Sequence, residues 1–535
     1  MKGLKPYVPV WQDGWREQTW ISCCDPWDLI VIGGGITGAG IFALSSRMGL
    51  RVLLLEKEDF ASGTSSRSSK LVHGGLRYLK RMELMLARGS VQERQHLLGV
   101  APGLVEPLGF IYPVYKGEPI GPWLVEMGLN LYTHLTRDAG EYRRLEAADI
   151  IMLAPGLIWE GLSRGYYYGD AQTDDARLVF RVVHDALRDS EKPCRAINYA
   201  RVMDFLRKDG KVVGVRIRDE KSGNEHEARA RLVINATGVW ADSLRAKLGI
   251  PNALRPLRGS HLYFDSQRFP VYQAIAFGHP DDDRPVFAYP WQGVTLVGTT
   301  DLDHASSIEE EPRIQMAEVH YLLHGIQRRF PDLCLKTKDI LSVQCGIRPV
   351  IYTGKENPSA ESRDDAVWED EGLLTVTGGK LTTFRLVAMD VLTHAHKLHP
   401  DLPSPSWDTD VLSIQPSANA FGEILDQRRM RRLIGRYGDA VFSLMQRFPN
   451  RLRPIPKTPY LEAEVLWSCA NEAVEHLDDL FLRRLRCGLL LPDGGLPVIE
   501  SFKRDLQRFM HWDESRWTAE LERYRDIREH CHGLV

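Results

Sequence analysis

Residues 28–32, Asp-Leu-Ile-Val-Ile, form a short run that is almost wholly apolar, the pattern of a strand buried on both faces. Glycines follow it, and the spacing predicts a helix over 36–48 and a second strand over 51–55 that stops at Glu56. Apolar and polar positions alternate over 211–218 and 225–231 on either side of Lys221-Ser222-Gly223-Asn224, as a β-hairpin requires. A further strand, 231–235, runs into Ala236-Thr237-Gly238, where backbone can approach a ligand. Alternation recurs over 260–264, 286–289 and 295–298, which predicts an antiparallel sheet and a substrate or cap domain. Residues 371–377 return as a strand before Gly378-Gly379 and a helix from about 381. Beyond a Pro, Ser and Asp-rich stretch at 399–416, read as a linker, the apolar spacing changes to three and four residues. Helices are predicted over 463–476, 478–489 and 499–510, and 417–535 reads as a separate helical domain.

A chain of 535 residues exceeds one ordinary core, so two or three domains are expected. Its 68 basic and 71 acidic residues are mixed along the chain, so no basic face points to nucleic acid. The eight cysteines show no CxxC or zinc-type spacing and are read as reduced thiols in a cytoplasmic compartment. Residues 1–25 lack the apolar core and cleavage site of a secretory signal. The uncharged stretch 29–46 is long enough to be mistaken for a membrane span, but its glycines and hydroxyls describe strand, turn and helix start. No spanning segment is expected, which leaves open a protein that lies on a membrane.

The strand–turn–helix–strand pattern places Gly33-x-Gly35-x-x-Gly38 and Glu56 in the context of a dinucleotide fingerprint. Glycines permit the tight turn and close approach to a pyrophosphate, and the helix N-terminus supplies free N–H groups and partial positive charge. Glu56 suits ribose hydroxyls and would repel a 2′-phosphate, which disfavours NADP. The hydroxyl-rich block Thr64 to Leu79 (TSSRSSKLVHGGLRYL) follows closely and indicates a flavin with chemistry nearby. Gly378-Gly379-Lys380-Leu381-Thr382-Thr383 repeats the glycine-and-helix-start arrangement, where positive potential would favour a reduced, anionic ring.

Arg77, Arg348 and Arg363 stand in short, unusual contexts, and arginine is suited to gripping phosphate or carboxylate in two-pronged fashion. Taken singly, each is more commonly a surface ion pair. His261 lies on an expected strand and has a ring whose ordinary pKa suits proton abstraction, although a lone strand histidine is more often structural. His320 and His324 share one helix face and His394, His396 and His399 cluster loosely, but neither group has an acidic partner in a familiar pattern. No metal site is expected.

These motifs, in this order, resemble the FAD-dependent, respiratory-type glycerol-3-phosphate dehydrogenases. The resemblance runs through Asp28 to Gly40, Thr64 to Leu79, Asp174 to Val179, Asn235 to Gly238 and Gly259-Ser260-His261. It continues through Gly298 to Asp301, Gly346 to Pro349, Ser362 to Asp364 and Gly378 to Thr383. In the tail it takes in Asp478-Asp479 and Arg483 to Leu489. It implies an α/β and α+β fold: a glutathione-reductase-like FAD-binding domain assembled from separated segments, a mixed or antiparallel-sheet substrate domain, and an all-helical C-terminal domain. The implied partition is an N-terminal extension (1–25), an oxidoreductase region (26–400), a linker (401–416) and the helical domain (417–535). FAD-binding segments would cover about 26–100, 165–245 and 340–400, and substrate or cap segments about 101–164 and 246–339.

The resemblance further implies oxidation of sn-glycerol 3-phosphate to dihydroxyacetone phosphate, with hydride passing to flavin N5 and electrons onward to a quinone. His261 would be the base, Arg348 and Lys380 would offset negative charge, and Arg77, Tyr78 and Arg363 would hold the substrate phosphate. FAD would be held by Gly33, Gly35, Gly38 and Glu56; by Thr64, Ser65, Ser69, Leu71, His73, Gly74 and Gly75; by Ala236, Thr237, Gly238 and Gly346; and by Gly379, Lys380, Leu381 and Thr382. A cytoplasmic protein, peripheral on the cytoplasmic membrane face, is implied. The apolar, aromatic segment 121–135 is its candidate contact with lipid, although Glu126 and the lack of basic residues weaken attraction to an anionic surface. Oligomeric state stays open, a homodimer among the options. An oxygen-reducing glycerol-3-phosphate oxidase is the main alternative, followed by an amine or amino-acid oxidase and a non-catalytic flavoprotein module. Val239, Phe384 and Asp365 depart from residues frequent in the family, and residues 1–25 have no clear counterpart in shorter relatives.

Overall fold

The computed structural model describes residues 9–74, 84–117, 123, 125–130, 142–356, 358, 361, 365–413, 415–416 and 424–534. Its central element is a sheet whose parallel strands run in the order Leu373–Thr377, Glu225–Asn235, Pro26–Ile32, Val52–Leu55 and Cys194–Ile197. Strand Pro26–Ile32, with the expected apolar run, therefore sits in the middle, buried from both sides. Helices Ile36–Arg47, Asp175–Asp189 and Phe384–Leu398 cover one face, and the hairpin Ala200–Lys208 and Lys211–Asp219 belongs to the other. All carboxyl ends of the central parallel strands open to the same side, where an open α/β sheet binds its ligand.

The second sheet is mixed and mostly antiparallel. Strand Leu254–Asp265 pairs with Val294–Gly298 on one side and with Ile340–Ile351 on the other. Pro285–Trp291, Ala274–Gly278, Val105–Tyr115, Leu162–Thr173 and Leu71–Val72 extend it. Leu71–Val72, Leu162–Thr173 and Ile340–Ile351 come from segments expected mainly in the FAD-binding part, so these stretches carry the chain from one sheet to the other. One face of this sheet packs on helix Met316–Arg329, and the other shares a core with the C-terminal helices.

Several expected boundaries change. Residues 225–235 form one continuous strand where two were expected, because its first half pairs antiparallel with Lys211–Asp219 and its second half parallel with Pro26–Ile32. Glu371 and Gly372, both at positive φ, make the turn before strand Leu373–Thr377. The expected helix 463–476 ends at Asn471, and 478–489 is a π-helical segment, Asp479–Arg484, followed by helix Cys487–Leu490. Helices Leu496–Ser501 and Lys503–Met510 replace the single one expected over 499–510. Residues 9–25 are no loose extension. Trp11 is buried against Phe60 and Phe180, and Arg16 of helix Trp15–Ser22 is buried on Asn198, Tyr199 and Asp219.

The C-terminal helices are fastened to the parallel-sheet part by buried charge. Asp59 accepts from Arg483 at 2.6 Å and from both terminal nitrogens of Arg484 at 2.6 and 2.9 Å. Asp174 and Asp175 accept from Arg486, Arg436 holds Asp174 at 2.9 Å, and Arg177 reaches Glu472 through two parallel bonds. Most of these carboxylates and guanidiniums are nearly or wholly excluded from solvent, so each depends on its partner.

Candidate active site

The phosphate turn is built by exclusion of side chains. Gly33, at φ +109°, would place a Cβ 2.5 Å from the Ala236 carbonyl oxygen, and a Cβ on Gly38 would lie 1.9 Å from that of Gly33. Two neighbouring parallel strands and the first turn of helix Ile36–Arg47 can approach this closely only through hydrogen atoms. Replacing Gly38 with alanine should therefore force the turn apart. We expect Gly38→Ala to lower FAD affinity by about tenfold or more, since overpacking of this kind costs about 1–3 kcal/mol; flavin absorbance per chain after dialysis measures it.

Glu56, at the end of strand Val52–Leu55, accepts the Gly34 N–H at 2.7 Å and the Glu58 N–H at 2.9 Å. Burial pushes its carboxyl up to about 7, against the opposing effect of those two N–H groups. Ser65 Oγ accepts the N–H of Ile36 at 2.9 Å, so the hydroxyl-rich block meets the phosphate turn directly.

A cleft of about 400 Å³ runs over the carboxyl ends of these strands. Gly33, Gly35, Glu56, Thr64, Ser65, Ala236, Thr237, Gly238, Gly379, Lys380 and Leu381 line it, as expected. The lining also includes residues that sequence reasoning missed: Lys57, Ala200, Val202, Trp240 and Leu244. Lys57 Nζ stands 4.1 Å from the Trp240 ring centroid, a cation over an aromatic face at the rim. Proximity to Glu56 was the available signal for Lys57; nothing in the local sequence marked Trp240. The elongated cleft, its glycine floor and the acidic group at the strand end suit a ligand carrying an ADP moiety and a further ring system.

Other expected contacts stand behind the lining. Leu71 pairs with Gln172, the Gly74 N–H donates to Asp170 at 3.0 Å, and Thr382 Oγ1 donates to the His73 carbonyl at 3.4 Å. A Cβ on Gly346 would lie 2.8 Å from Arg67 Cβ, so this glycine admits the hydroxyl-rich block against strand Ile340–Ile351. Gly75, Arg77, Tyr78 and Arg363 lie outside the described residues.

Where the two sheets meet, strand Ile340–Ile351 reaches the cleft: Thr64 Oγ1 donates to the Ile347 carbonyl at 2.5 Å, and Pro349 joins Lys380 in the lining. Arg348 lies across Gly259, whose absent side chain leaves room for the guanidinium. It donates to Asp301 Oδ1 at 3.0 Å, Thr300 O at 3.2 Å and Thr299 Oγ1 at 2.9 Å. His261 stands on the adjacent strand with its ring against Gly298, where a Cβ would come within 2.1 Å. Its Nε2 is 2.9 Å from Ser69 Oγ, and its buried Nδ1 has no hydrogen-bond partner among the described residues. Burial, followed by the charges of Lys70 and Arg348, holds the imidazole well below its ordinary pKa, so it is neutral at pH 7.

The support of His261 was not legible in the sequence. Tyr289 donates to the Ser69 carbonyl, and Gln344, bound by Tyr263, donates to the Ser66 carbonyl. Lys70, fully buried, donates to Ser66 O at 3.1 Å and to both oxygens of Asp175 at 3.2 and 3.3 Å. Arg486 of the helical domain holds the same Asp175 at 2.5 Å. Burial brings the Lys70 ammonium down to about 8 despite Asp175. The structure thus brings His261 and Arg348 onto adjoining strands, and Lys380 lines the cleft.

Residues 28–388 match the family model described as FAD dependent oxidoreductase, and residues 407–517 match that of the C-terminal domain of alpha-glycerophosphate oxidase. The aerobic glycerol-3-phosphate dehydrogenase of Bacillus subtilis (strain 168) is 40% identical over 371 residues. That match covers 68% of this chain and 66% of the relative, just under two thirds of its length. The enzyme of the same name from Staphylococcus aureus (strain USA300) is 34% identical over 490 residues, 86% of each chain. Among solved structures, the glycerol-3-phosphate dehydrogenase from Bacillus halodurans complexed with FAD superposes with a TM-score of 0.76 at 27% identity, over 96% of this chain and 97% of the other.

Proposed function

The chain belongs to the FAD-dependent oxidoreductases that carry the alpha-glycerophosphate oxidase C-terminal domain, with FAD as its cofactor, and on that premise we propose that it oxidises sn-glycerol 3-phosphate to dihydroxyacetone phosphate and delivers the electrons to a quinone. The observation that carries this reading is a cofactor-sized cleft reached by strand Ile340–Ile351, which bears Arg348, with His261 on the adjoining strand Leu254–Asp265, a cation and a neutral base beside one another. The names of the relatives supply the substrate.

When bound, FAD supplies the hydride-accepting ring. The chain's own residues handle the proton and the charge. In the tautomer that donates Nε2–H to Ser69 Oγ, 2.9 Å away, the otherwise unpartnered Nδ1 keeps a lone pair to take the proton of the substrate's C2 hydroxyl. Arg348, oriented by Asp301 and Thr299, stabilises the oxygen that becomes alkoxide and then carbonyl. Lys380 and the glycine turn before helix Phe384–Leu398 place positive potential at the cofactor end. Arg77, Tyr78 and Arg363 are the proposed phosphate contacts. Arg363→Ala should remove charge-assisted bonds of about 1.5–3 kcal/mol each and raise KM for the phosphorylated substrate by about tenfold or more. Unchanged steady-state kinetics would dismiss the assignment.

Anaerobic mixing of holoenzyme with sn-glycerol 3-phosphate should bleach the yellow flavin, whereas amino acids should not. Persistence of the oxidised spectrum would refute the substrate reading. Quinone reduction without peroxide supports the proposed acceptor; stoichiometric peroxide would identify an oxidase.

Among the described residues no helix is long and apolar enough to cross a membrane. Peripheral contact is proposed for the segment 121–135. Trp123 is 75% exposed and Met127 49% exposed, while Glu126 is turned to Arg144, Tyr142 and Tyr166 and does not oppose lipid with a free charge. Vesicle flotation should weaken severalfold in Trp123→Ser combined with Met127→Ser; equal flotation would discard this surface.

A further inference from the structure

Outside the lining of the cofactor cleft, His279, Asp281 and His324 place one donor atom each within 4.8 Å of one another. His279 follows strand Ala274–Gly278, Asp281 lies in the turn after it, and His324 is on helix Met316–Arg329. We propose that these three side chains form a binding site for a divalent transition ion of the zinc class, with Asp282 or water as the fourth ligand.

The argument rests on where the His279 lone pair points. Its ring is 2% exposed and stacked on Tyr321, with centroids 3.6 Å apart and planes 11° from parallel. Helix Met316–Arg329 admits the ring through Gly325, where a Cβ would lie 2.8 Å from His279 Cδ2. Nε2 sits 2.8 Å from the Tyr321 carbonyl, which can only accept, so Nε2 carries the proton. The Asp281 N–H donates to Nδ1 at 3.2 Å, which requires a lone pair there. This is the tautomer and outer hydrogen bond that prepare a histidine for a metal.

Two carboxylates also lie near that nitrogen, with Asp281 Oδ2 at 3.7 Å and Asp282 Oδ1 at 3.9 Å from Nδ1. Asp281 Oδ1 is in turn 3.3 Å from His324 Nδ1. His324 Nδ1 is hydrogen-bonded to Asp281 Oδ2 at 3.4 Å, and a cation would take the place of the proton that pair shares. Ligands about 2.0–2.1 Å from a tetrahedral zinc ion are about 3.3–3.5 Å apart, so from separations of up to 4.8 Å the exposed His324 and Asp281 side chains close in by up to about 1.5 Å. The ion would displace the weak Asp281 N–H bond, and that group then turns to water. Two imidazoles with carboxylate favour zinc, nickel or cobalt over magnesium or calcium, which prefer all-oxygen shells. Tyr321 O–H donates to Asp282 at 2.9 Å and holds the fourth group nearby.

Isothermal titration of chelator-treated holoenzyme with zinc chloride tests the site. One ion per chain is expected, with binding weakened at least about tenfold in His324→Ala and in Asp281→Asn, and unchanged in His320→Ala on the same helix. Zinc should also raise the unfolding temperature of the unaltered chain but not of His324→Ala, and magnesium should do neither. His324 and Asp281 are exposed, so these variants leave the core intact. Absence of a one-equivalent event, or equal affinity in His324→Ala, would overturn the proposal.

Discussion

His261→Asn is expected to lower kcat for sn-glycerol 3-phosphate by about 10²–10⁴-fold while the chain keeps its FAD. Asparagine preserves a polar group near Ser69 but cannot take a proton at neutral pH. His261 is behind the cofactor cleft and does not line it, so flavin content should be unchanged. An unaltered kcat would remove His261 from the mechanism. The pH dependence has a definite sign. The imidazole's pKa lies below its ordinary value, chiefly through burial, so the neutral base persists as pH falls through 6.5 and the acid limb of kcat should lie below that value. Its depressed pKa also means that protonation favours unfolding: this histidine's stabilising contribution is complete above pH 6.5 and declines as the pH drops toward the folded value.

The second large effect is on stability. Asp59→Ala should destabilise the chain by about 3–5 kcal/mol, because it leaves the wholly buried Arg484 without its carboxylate. Arg483 retains Asp478 and Asp479, so most of the loss falls on Arg484, which also lies over Phe180 with its guanidinium 3.6 Å from the ring centroid. For a chain of this length the loss corresponds to about 3–5 °C in the unfolding midpoint. Asp59→Leu combined with Arg484→Met should recover much of it, since a buried pair replaced by apolar groups costs less than one broken in half. Calorimetry on the single and double variants decides the matter. A midpoint within 1 °C of the parent for Asp59→Ala, on the order of 1 kcal/mol, would show that the interdomain charges are dispensable.

The two regions differ in how far local sequence revealed them. Gly33, Gly35, Gly38 and Glu56 lie within one strand–helix–strand unit, so the fingerprint and the ligand class could be read directly from spacing. The same holds for Gly378-Gly379 before helix Phe384–Leu398, and for the alternating strands of the second sheet. His324 shows the opposite case: its acidic and imidazole partners come from a turn more than forty residues earlier, and helix spacing alone gave no metal pattern.

Sequence by itself determined the dinucleotide turn, the strands and helices around it and, through the order of motifs, the family, because each depends on residues close together in the chain. Only the tertiary structure decided which nitrogen of His261 is left free, that Asp301 orients Arg348, that Trp240 lines the cleft, and that Asp59 binds the helical domain through Arg484. Those relations join strands and helices from 47 to 425 residues apart, and the charges they pair become strong only where packing has removed the water between them.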